Sequence, residues 1–259
     1  MIGIFDSGAG GITVARELRR LAPLSDLCFF ADRKNAPYGT KSEKELIPLV
    51  KRDAEILYDM GAERIIMACC TASTVHESLP NWLKGITVPI IEPTARAAAK
   101  ATKNGRVGVI ATEATVRSSA FGRALLKHDS VRDILEVPAQ PLVGMVESGV
   151  ADGSVSDGDK SILRDILAPF RRGGYDTLIL GCTHFPHLFG EISKILPGVN
   201  IISSSREGAL EVAKEPLKKE NGRIIYTESP KGREKRKELE KWENTEEAES
   251  TTRWQRSLQ

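Results

Sequence analysis

Two stretches of the sequence repeat one pattern, in which an apolar run ends in cysteine and threonine. Residues 178–186 read LILGCTHFP, and residues 64–74 read RIIMACCTAST. Short apolar runs of this kind predict buried strands, and the residues that follow each run predict the start of a helix. An α/β protein places reactive side chains at the carboxyl edge of its sheet in this way. The repetition predicts one site shared by two similar halves.

The rest of the chain alternates between short apolar runs and amphipathic segments, which predicts an α/β fold. Strands are predicted at residues 2–5, 27–31, 64–69, 88–91, 106–110, 134–137, 177–181, 200–202 and 222–226. Helices are predicted after two of these strands. One follows the Cys69 strand and runs through Leu79, and the other follows the 106–110 strand and runs to about Lys127. We expect residues 1–93 and about 205–259 to form a first α/β domain, and residues 94–204 a second.

The charge balance excludes some kinds of partner. The chain has 37 basic and 35 acidic residues, and a net charge of +2 gives no electrostatic footprint for nucleic acid or a membrane surface. The apolar start ends at Asp6, too soon for a signal peptide, and no later run approaches a membrane span. We therefore expect a cytoplasmic protein with a small-molecule or protein partner. In that reducing compartment the four cysteines would remain thiols.

Two loops that follow predicted strands are candidates for binding an anion. Residues 6–11 (DSGAGG) form a glycine-rich turn into a helix, whose free backbone N–H groups could face a carboxylate. Asp6 would repel a phosphate, so a carboxylate with a neighbouring ammonium, as in an amino acid, suits the loop better. The alternative is a tight turn in which Asp6 caps the helix. Residues 37–39 (PYG) form the second candidate loop.

Cys69 and Cys182 are each predicted between a strand end and a helix start, where the helix dipole favours a thiolate. We expect the pKa of each thiol to lie near or below its free value of about 8.5. For either cysteine alone, inert core filling is the alternative. Two thiols on opposite faces of one carbon could act as base and acid. One would remove a proton and the other would deliver one to the opposite face, which inverts the centre.

Removing a proton beside a carboxylate builds negative charge, which fixed hydrogen-bond donors must stabilise. Hydroxyls of the right type follow the predicted strands; they are Ser7, Thr71, Thr115 and Thr183. Asp6 is placed to tune one thiol and His184 the other. Glu147 could orient His184 by accepting its ring N–H. The alternative for Glu147 is a solvated helix end.

Two other chemistries stay open at this point. Soft ligands for zinc are available at Cys69, Cys70, Cys182, His184 and His187, although the sequence contains no C-x-x-C pair. A nucleophilic Cys182 with His184 as its base would instead make a hydrolase. A hydrolase of this kind would leave Cys69 without a role.

Four segments, in order, resemble the glutamate racemases of the cofactor-independent aspartate/glutamate racemase superfamily. They are residues 2–14, 37–42, 68–72 and 180–184, and the resemblance extends over about residues 1–230. It implies two pseudo-symmetric, doubly wound α/β domains with mainly parallel central sheets and an active site between them. It also implies racemisation of L- and D-glutamate without cofactor or metal, supply of D-glutamate for peptidoglycan, and a homodimer.

The same resemblance assigns roles to individual residues. Cys69 and Cys182 match the two catalytic cysteines, and Asp6, His184 and Glu147 match supporting residues. The predicted substrate-binding set is Asp6, Ser7, Pro37, Tyr38, Gly39, Cys70, Thr71, Thr115, Thr183 and His184, with Asp32 a weaker match.

The sequence departs from the family pattern at Cys70, where the family usually has asparagine. Asparagine offers an amide donor and a carbonyl acceptor, whereas a thiol is a weak partner. The alternatives are therefore a racemase of aspartate or another small acid, or a racemase-like binding protein with impaired turnover. Residues 231–249 are nearly all charged, which predicts a solvated helix and a frayed tail.

Overall fold

Two parallel sheets form the frame of the molecule. The computed structural model describes residues 1–148, 155–214 and 218–229, and within these ranges nine strands are present. The first sheet has five strands and the second has four. Every strand pair in both sheets is parallel. The predicted α/β fold is confirmed.

The first sheet contains β1 (Ile2–Asp6), β2 (Leu27–Ala31), β3 (Arg64–Met67), β4 (Thr87–Pro89) and β9 (Ile224–Glu228). The second contains β5 (Arg106–Ala111), β6 (Asp133–Pro138), β7 (Thr177–Gly181) and β8 (Asn200–Ser203). All residues of β1, β2 and β7 are buried. Helices cover both faces of such strands, and for that reason they are continuous apolar runs in the sequence.

The two sheets repeat one topology. The first four strands are arranged 4-3-1-2, and the next four are arranged 8-7-5-6. Strand β5 therefore corresponds to β1, and β7 corresponds to β3. In each half the chain crosses to the other side of the first strand after two strands, and ligands of doubly wound sheets bind at such a switch point.

Eleven helices are found in the described residues. They are α1 (Ile12–Leu21), α2 (Glu43–Asp59), α3 (Cys70–Ser73), α4 (Asn81–Ile86), α5 (Ile91–Ala101), α6 (Glu113–Ser118), α7 (Ala120–Leu125), α8 (Gln140–Glu147), α9 (Asp157–Gly173), α10 (Phe189–Ile195) and α11 (Ser204–Ala213). Helix α11 packs against α1 and α5, and α5 packs against α7 and β7. The largest buried cluster includes residues of both sheets, such as Ile4 and Ile179.

Three local expectations are wrong. The strand predicted at 88–91 ends at Pro89, because the chain already turns into α5 at Ile91; Pro93 lies in the first turn, where proline is tolerated. The helix predicted through Leu79 is the one-turn α3 and a separate 3-10 turn, His76–Ser78. The helix predicted to Lys127 is split into α6 and α7 by Ser119, whose φ of 51° is left-handed.

The domain division remains a prediction, and its boundary after residue 93 falls inside α5. The strand predicted at 222–226 is present as β9, and it pairs in parallel with β2 of the first sheet. The charged segment 231–249 lies outside the described residues.

Asp26 links the start of β2 to the segment before β9. Its Oδ1 accepts backbone hydrogen bonds from Arg223 (2.8 Å) and Asn221 (3.2 Å), and its Oδ2 accepts from the Arg223 guanidinium at 2.8 and 3.0 Å. Burial opposes ionisation of this carboxyl, but the hydrogen bonds outweigh it and lower its pKa.

We predict that Asp26→Ala lowers the free energy of unfolding by about 2 kcal/mol near neutral pH, because hydrogen bonds to a charged group are lost. A lowered folded-state pKa contributes stability above the unfolded value, and this is lost as the pH falls. The difference from the wild type should therefore shrink below about pH 4. Urea unfolding of both proteins near neutral pH and below about pH 4 measures this difference. Replacing the exposed Asp129 with Ala should change stability by less than about 0.5 kcal/mol, and equal effects of the two variants would contradict the assignment.

Candidate active site

A cavity lies where the carboxyl ends of β1, β3, β5 and β7 approach one another, so both sheets contribute to its wall. The wall includes most of the residues predicted from sequence. These are Ser7, Pro37, Tyr38, Gly39, Cys69, Cys70, Thr71, Glu147, Cys182, Thr183 and His184. Asp6 and Thr115 lie behind the wall, and neither side chain is exposed.

The two thiols occupy equivalent places in the two halves. Cys69 follows β3 and Cys182 follows the corresponding strand β7. Each residue is only 7% exposed, and both cysteines are free thiols. The repeated sequence pattern thus reflects a repeated topology that brings the thiols to one cavity.

Cys69 is connected to Asp6 through a serine. Ser7 Oγ lies 3.8 Å from Cys69 Sγ and 3.3 Å from Asp6 Oδ1, and the Gly8 N–H donates to Asp6 Oδ1 at 2.9 Å. Burial raises the pKa of Asp6, against the opposing effects of the His184 charge and of hydrogen bonds from Thr183 and Gly8. Asp6 is therefore a stronger proton acceptor than an ordinary aspartate.

Cys182 lies beside an imidazole instead. Its Sγ is 3.6 Å from His184 Nδ1. Glu147 Oε1 is 3.3 Å from His184 Nε2, within ion-pair distance, but no described group meets the hydrogen-bond geometry at that nitrogen. The Glu147 side chain is 56% exposed, so the carboxylate reaches the ring from the solvent side of the cavity. The three residues lie together, but the predicted hydrogen bond from the His184 ring to Glu147 is not formed.

A hydrogen bond ties the loop after β7 to the last residue of β1. Thr183 Oγ1 donates to Asp6 Oδ2 at 2.8 Å. Gly10 permits this approach, because a Cβ at that position would collide with Thr183 Oγ1 and lie 2.8 Å from the His184 ring. The hydroxyl predicted to contact substrate therefore already serves as a donor to the buried carboxylate.

The expected acidic thiols are not found. Burial, followed by the charge of Asp6, raises the pKa of Cys69 to about 12, and burial raises the pKa of Cys182 well above its ordinary value. The helix after Cys69 is the four-residue α3, and a 3-10 turn, Phe185–Leu188, follows the Cys182 loop. Such short segments supply little dipole, so desolvation dominates.

Three threonine hydroxyls meet at another part of the wall. Thr71 Oγ1 lies 2.8 Å from Thr112 Oγ1 and 3.1 Å from Thr115 Oγ1, and the last two are 2.9 Å apart. Thr112 lines the cavity, whereas Thr115 supports the other two from behind. Sequence reasoning chose Thr115 and missed Thr112. The equivalence of β5 and β1 could have indicated it, because Thr112 follows β5 as Ser7 follows β1.

Other wall residues were also missed, namely Ala36, Gln140, Val143 and Gly181. Gln140 and Val143 come from α8, which no motif marks. Cys70, the departure from the family pattern, donates its thiol to Ser204 Oγ at 3.2 Å, and Ser204 donates to the Leu180 carbonyl at 2.8 Å. The thiol at this position is thus linked to the start of α11.

The arrangement of side chains does not support the hypothesis of a zinc site. Within residues 1–148, 155–214 and 218–229, no three His, Cys, Asp or Glu side chains are grouped so that they could hold a metal ion. His187, one of the proposed ligands, does not line the cavity.

No helix within residues 1–148, 155–214 and 218–229 is long and apolar enough to cross a bilayer.

Curated relatives match most of the chain. A glutamate racemase from Persephonella marina is 39% identical over 244 residues, covering 92% of each chain. A glutamate racemase from Aquifex aeolicus is 38% identical over 209 residues, covering 80% of each chain.

Solved structures agree with this comparison. A glutamate racemase isoform from Bacillus anthracis superposes with a TM-score of 0.77 at 33% identity, covering 88% of this chain and 87% of that one. The glutamate racemase from Francisella tularensis, solved in complex with D-glutamate, gives a TM-score of 0.79 at 27% identity and covers 88% of each chain. The Asp/Glu/hydantoin racemase model matches residues 13–212. With most of its length matched by that model, the chain belongs to the Asp/Glu/hydantoin racemase family.

Proposed function

We propose that this chain interconverts L- and D-glutamate, with Cys69 and Cys182 acting as the two acid–base groups. The observation that carries the proposal is the placement of two buried thiols after equivalent strands in the wall of one cavity. Relatives named glutamate racemase match most of the chain, and the Francisella tularensis structure contains D-glutamate. A two-base racemisation uses a group on each face of Cα, and the pseudo-symmetric halves supply one thiol each.

Each thiol has its own proton partner. Cys69 is linked through Ser7 to Asp6, whose raised pKa suits it to hold a proton. Cys182 contacts His184, which Glu147 approaches from the other side. In either direction one thiol gives its proton to its partner and then takes the proton from Cα. The other thiol delivers its proton to the opposite face of the carbon and is left as a thiolate. Exchange with solvent then returns a proton to that thiol and removes the proton held by the first thiol's partner.

The charge that develops on the substrate needs donors around its carboxylate. The hydroxyls of Thr71 and Thr112 lie in the cavity wall, and Thr115 holds them within 3.1 Å of one another. Such preorganised dipoles stabilise an enolate-like charge without reorganisation during the reaction. Thr183 and Ser7 orient Asp6 and Cys69 as well as lining the wall.

The raised thiol pKa values imply that reactive thiolates form during catalysis rather than before it. With burial raising the pKa of Cys69 to about 12, ionising this thiol at about pH 7 costs about 7 kcal/mol. The ammonium group of a bound amino acid adds positive charge to the cavity and offsets part of that cost. Transfer to Asp6 or His184 offsets another part. The substrate therefore takes part in activating the thiols.

A cytoplasmic location is expected from the sequence itself. Two further features of the proposal follow from the resemblance alone, namely a homodimer and use of the product D-glutamate for peptidoglycan. A cofactor-independent reaction belongs to the same resemblance. Each remains a prediction for this chain.

The direct test uses L-glutamate and D-glutamate separately and follows each by circular dichroism. We expect interconversion from both sides. Cys69→Ser and Cys182→Ser should each lower the rate by about 100-fold or more, because a thiol that transfers the Cα proton is lost. Cys28→Ala is the matched control, since Cys28 is buried beside Met60 and does not line the cavity. Full racemisation by both serine variants would refute the two-thiol assignment.

The same assay distinguishes the alternatives that Cys70 raises. If Cys70, whose thiol is hydrogen-bonded to Ser204, changes the substrate preference, aspartate or another small acid would be interconverted faster than glutamate. Glutamate that binds in a calorimeter without being interconverted would indicate a binding protein.

The thiol pKa values give an independent prediction. We expect the thiolate ultraviolet absorbance of the wild type minus that of Cys69→Ala to stay near zero up to about pH 10. With the pKa of Cys69 at about 12, only about 1% of this thiol is ionised there. A step centred near or below about pH 8.5 would show that burial does not control this thiol.

A further inference from the structure

The Tyr38 hydroxyl is held between two buried carboxyl groups. It lies 2.6 Å from Asp32 Oδ2 and 2.6 Å from Asp53 Oδ2. None of the three side chains is exposed. A phenol has one proton, so it can donate to one of these oxygens only. The other short contact needs a proton that comes from a carboxyl group.

The surrounding donors indicate which carboxyl group is ionised. Asp32 accepts from Tyr38, from the Arg52 guanidinium at 2.5 Å and from the Asn35 amide at 2.9 and 3.0 Å. Ser229 adds a further hydrogen bond to Asp32. A carboxylate surrounded by donors is an acceptor only, and it therefore carries no proton.

Asp53 has a different environment. Its Oδ1 accepts from Arg52 at 2.7 and 3.2 Å, while Oδ2 has the Tyr38 hydroxyl as its hydrogen-bond partner among the described residues. A proton on Asp53 Oδ2 would be donated to the Tyr38 oxygen, and Tyr38 would donate its own proton to Asp32. Every short contact in the chain Asp53, Tyr38, Asp32 then contains one proton.

Charge balance leads to the same arrangement. Two ionised carboxylates against the single guanidinium of Arg52 would leave a buried negative charge, whereas a neutral Asp53 leaves none. Burial, followed by the charge of Asp32, raises the pKa of Asp53 to about 7. Burial opposes ionisation of Asp32 too, but hydrogen bonds from Tyr38, Asn35 and Ser229 and the charge of Arg52 outweigh it and lower its pKa.

Tyr38 belongs to the segment that joins the two halves at the cavity. The next residue, Gly39, is packed so tightly that a Cβ there would lie 2.8 Å from Thr112 Cβ. The Arg117 guanidinium also donates to the Lys41 carbonyl at 2.9 Å. The position of the Tyr38 ring therefore sets how residues 37–39 meet the Thr112 wall.

We propose that Asp53 is a positioning residue that acts as a neutral acid: its proton holds the Tyr38 hydroxyl and thereby fixes residues 37–39 against the second half of the cavity. Asp53 itself does not line the cavity. When Asp53 loses its proton, it repels Asp32 and gives up one hydrogen bond to Tyr38. Substrate binding should weaken as a result, which would appear as a rise in KM for glutamate above neutral pH.

The first arm of the test is independent of the proposed function. Carbon-13 spectra of protein labelled at aspartate carboxyl groups should show an aspartate that titrates near neutral pH, well above the ordinary value of about 4. This signal should be absent in Asp53→Asn and should move in Tyr38→Phe, whereas a signal from Asp6, whose pKa is also raised, should remain in Asp53→Asn. If the signal that Asp53→Asn removes titrates below about pH 5 in the wild type, the proposal is overturned.

The second arm rests on the proposed function and measures kcat and KM for glutamate from about pH 6 to 9. Asparagine at 53 can donate an amide N–H to the Tyr38 oxygen and cannot titrate, so Asp53→Asn should remove the alkaline rise in KM. Asp53→Leu, which has no donor, should raise KM about tenfold or more with a smaller change in kcat. Asp32→Asn is the matched comparison, and it should be tolerated less well than Asp53→Asn, because the Asp32 carboxylate is the acceptor in each of its hydrogen bonds.

An alkaline rise in KM that persists in Asp53→Asn would overturn the positioning role. If the neutral titration of Asp53 is observed but glutamate is not interconverted, the proposed function fails and the protonation of Asp53 stands. The two outcomes are thus distinguishable.

Discussion

The buried carboxylate of Asp6 is the group on which the rest of the site depends. It accepts hydrogen bonds from Gly8, Ser7 and Thr183, and the last of these crosses from the second half of the molecule to the first. Through Ser7 it reaches Cys69, and its charge contributes to the raised pKa of that thiol. Together with the hydrogen bond from Thr13 Oγ1 to the Thr183 carbonyl (3.2 Å), it holds the Cys182 loop against the first half.

Burial has two opposite effects at this site. It raises the pKa of Cys69 and Cys182, which keeps the thiols protonated and unreactive at neutral pH. It also strengthens each interaction with a charged substrate, since water is excluded from around the reacting groups. Under the proposed mechanism, a proton partner beside each thiol allows the reaction to start from the neutral form, so a preformed thiolate is not required.

Much of the arrangement of strands and thiols could be predicted from the sequence, because parallel strands buried on both faces consist of short apolar runs. The place of Cys69 and Cys182 after such runs was enough to predict a shared site. Their pKa values could not be predicted, because desolvation depends on packing by distant segments. Gln140, from α8, could not be found for a similar reason. The break between α6 and α7 could not be predicted either. It occurs at Ser119, which has a left-handed backbone conformation although it is not a glycine.

The role proposed for Asp53 would be even harder to predict from the sequence. Asp53 lies inside α2, where its sequence context is that of an ordinary amphipathic helix. Only the folded chain brings it to the hydroxyl of Tyr38, fifteen positions earlier in the sequence. Residues that act through another side chain leave no motif, whereas those at strand ends do.

The most direct test of the two-thiol account is the fate of the Cα proton in D2O. L-glutamate and D-glutamate are incubated separately, and the two enantiomers are resolved early in the reaction and analysed for deuterium at Cα. If one thiol removes the proton and the other delivers a solvent-derived one, the product carries deuterium while the remaining substrate does not, from either starting enantiomer. Deuterium that enters the starting enantiomer as fast as the product would mean that a single group serves both faces, and it would contradict the account.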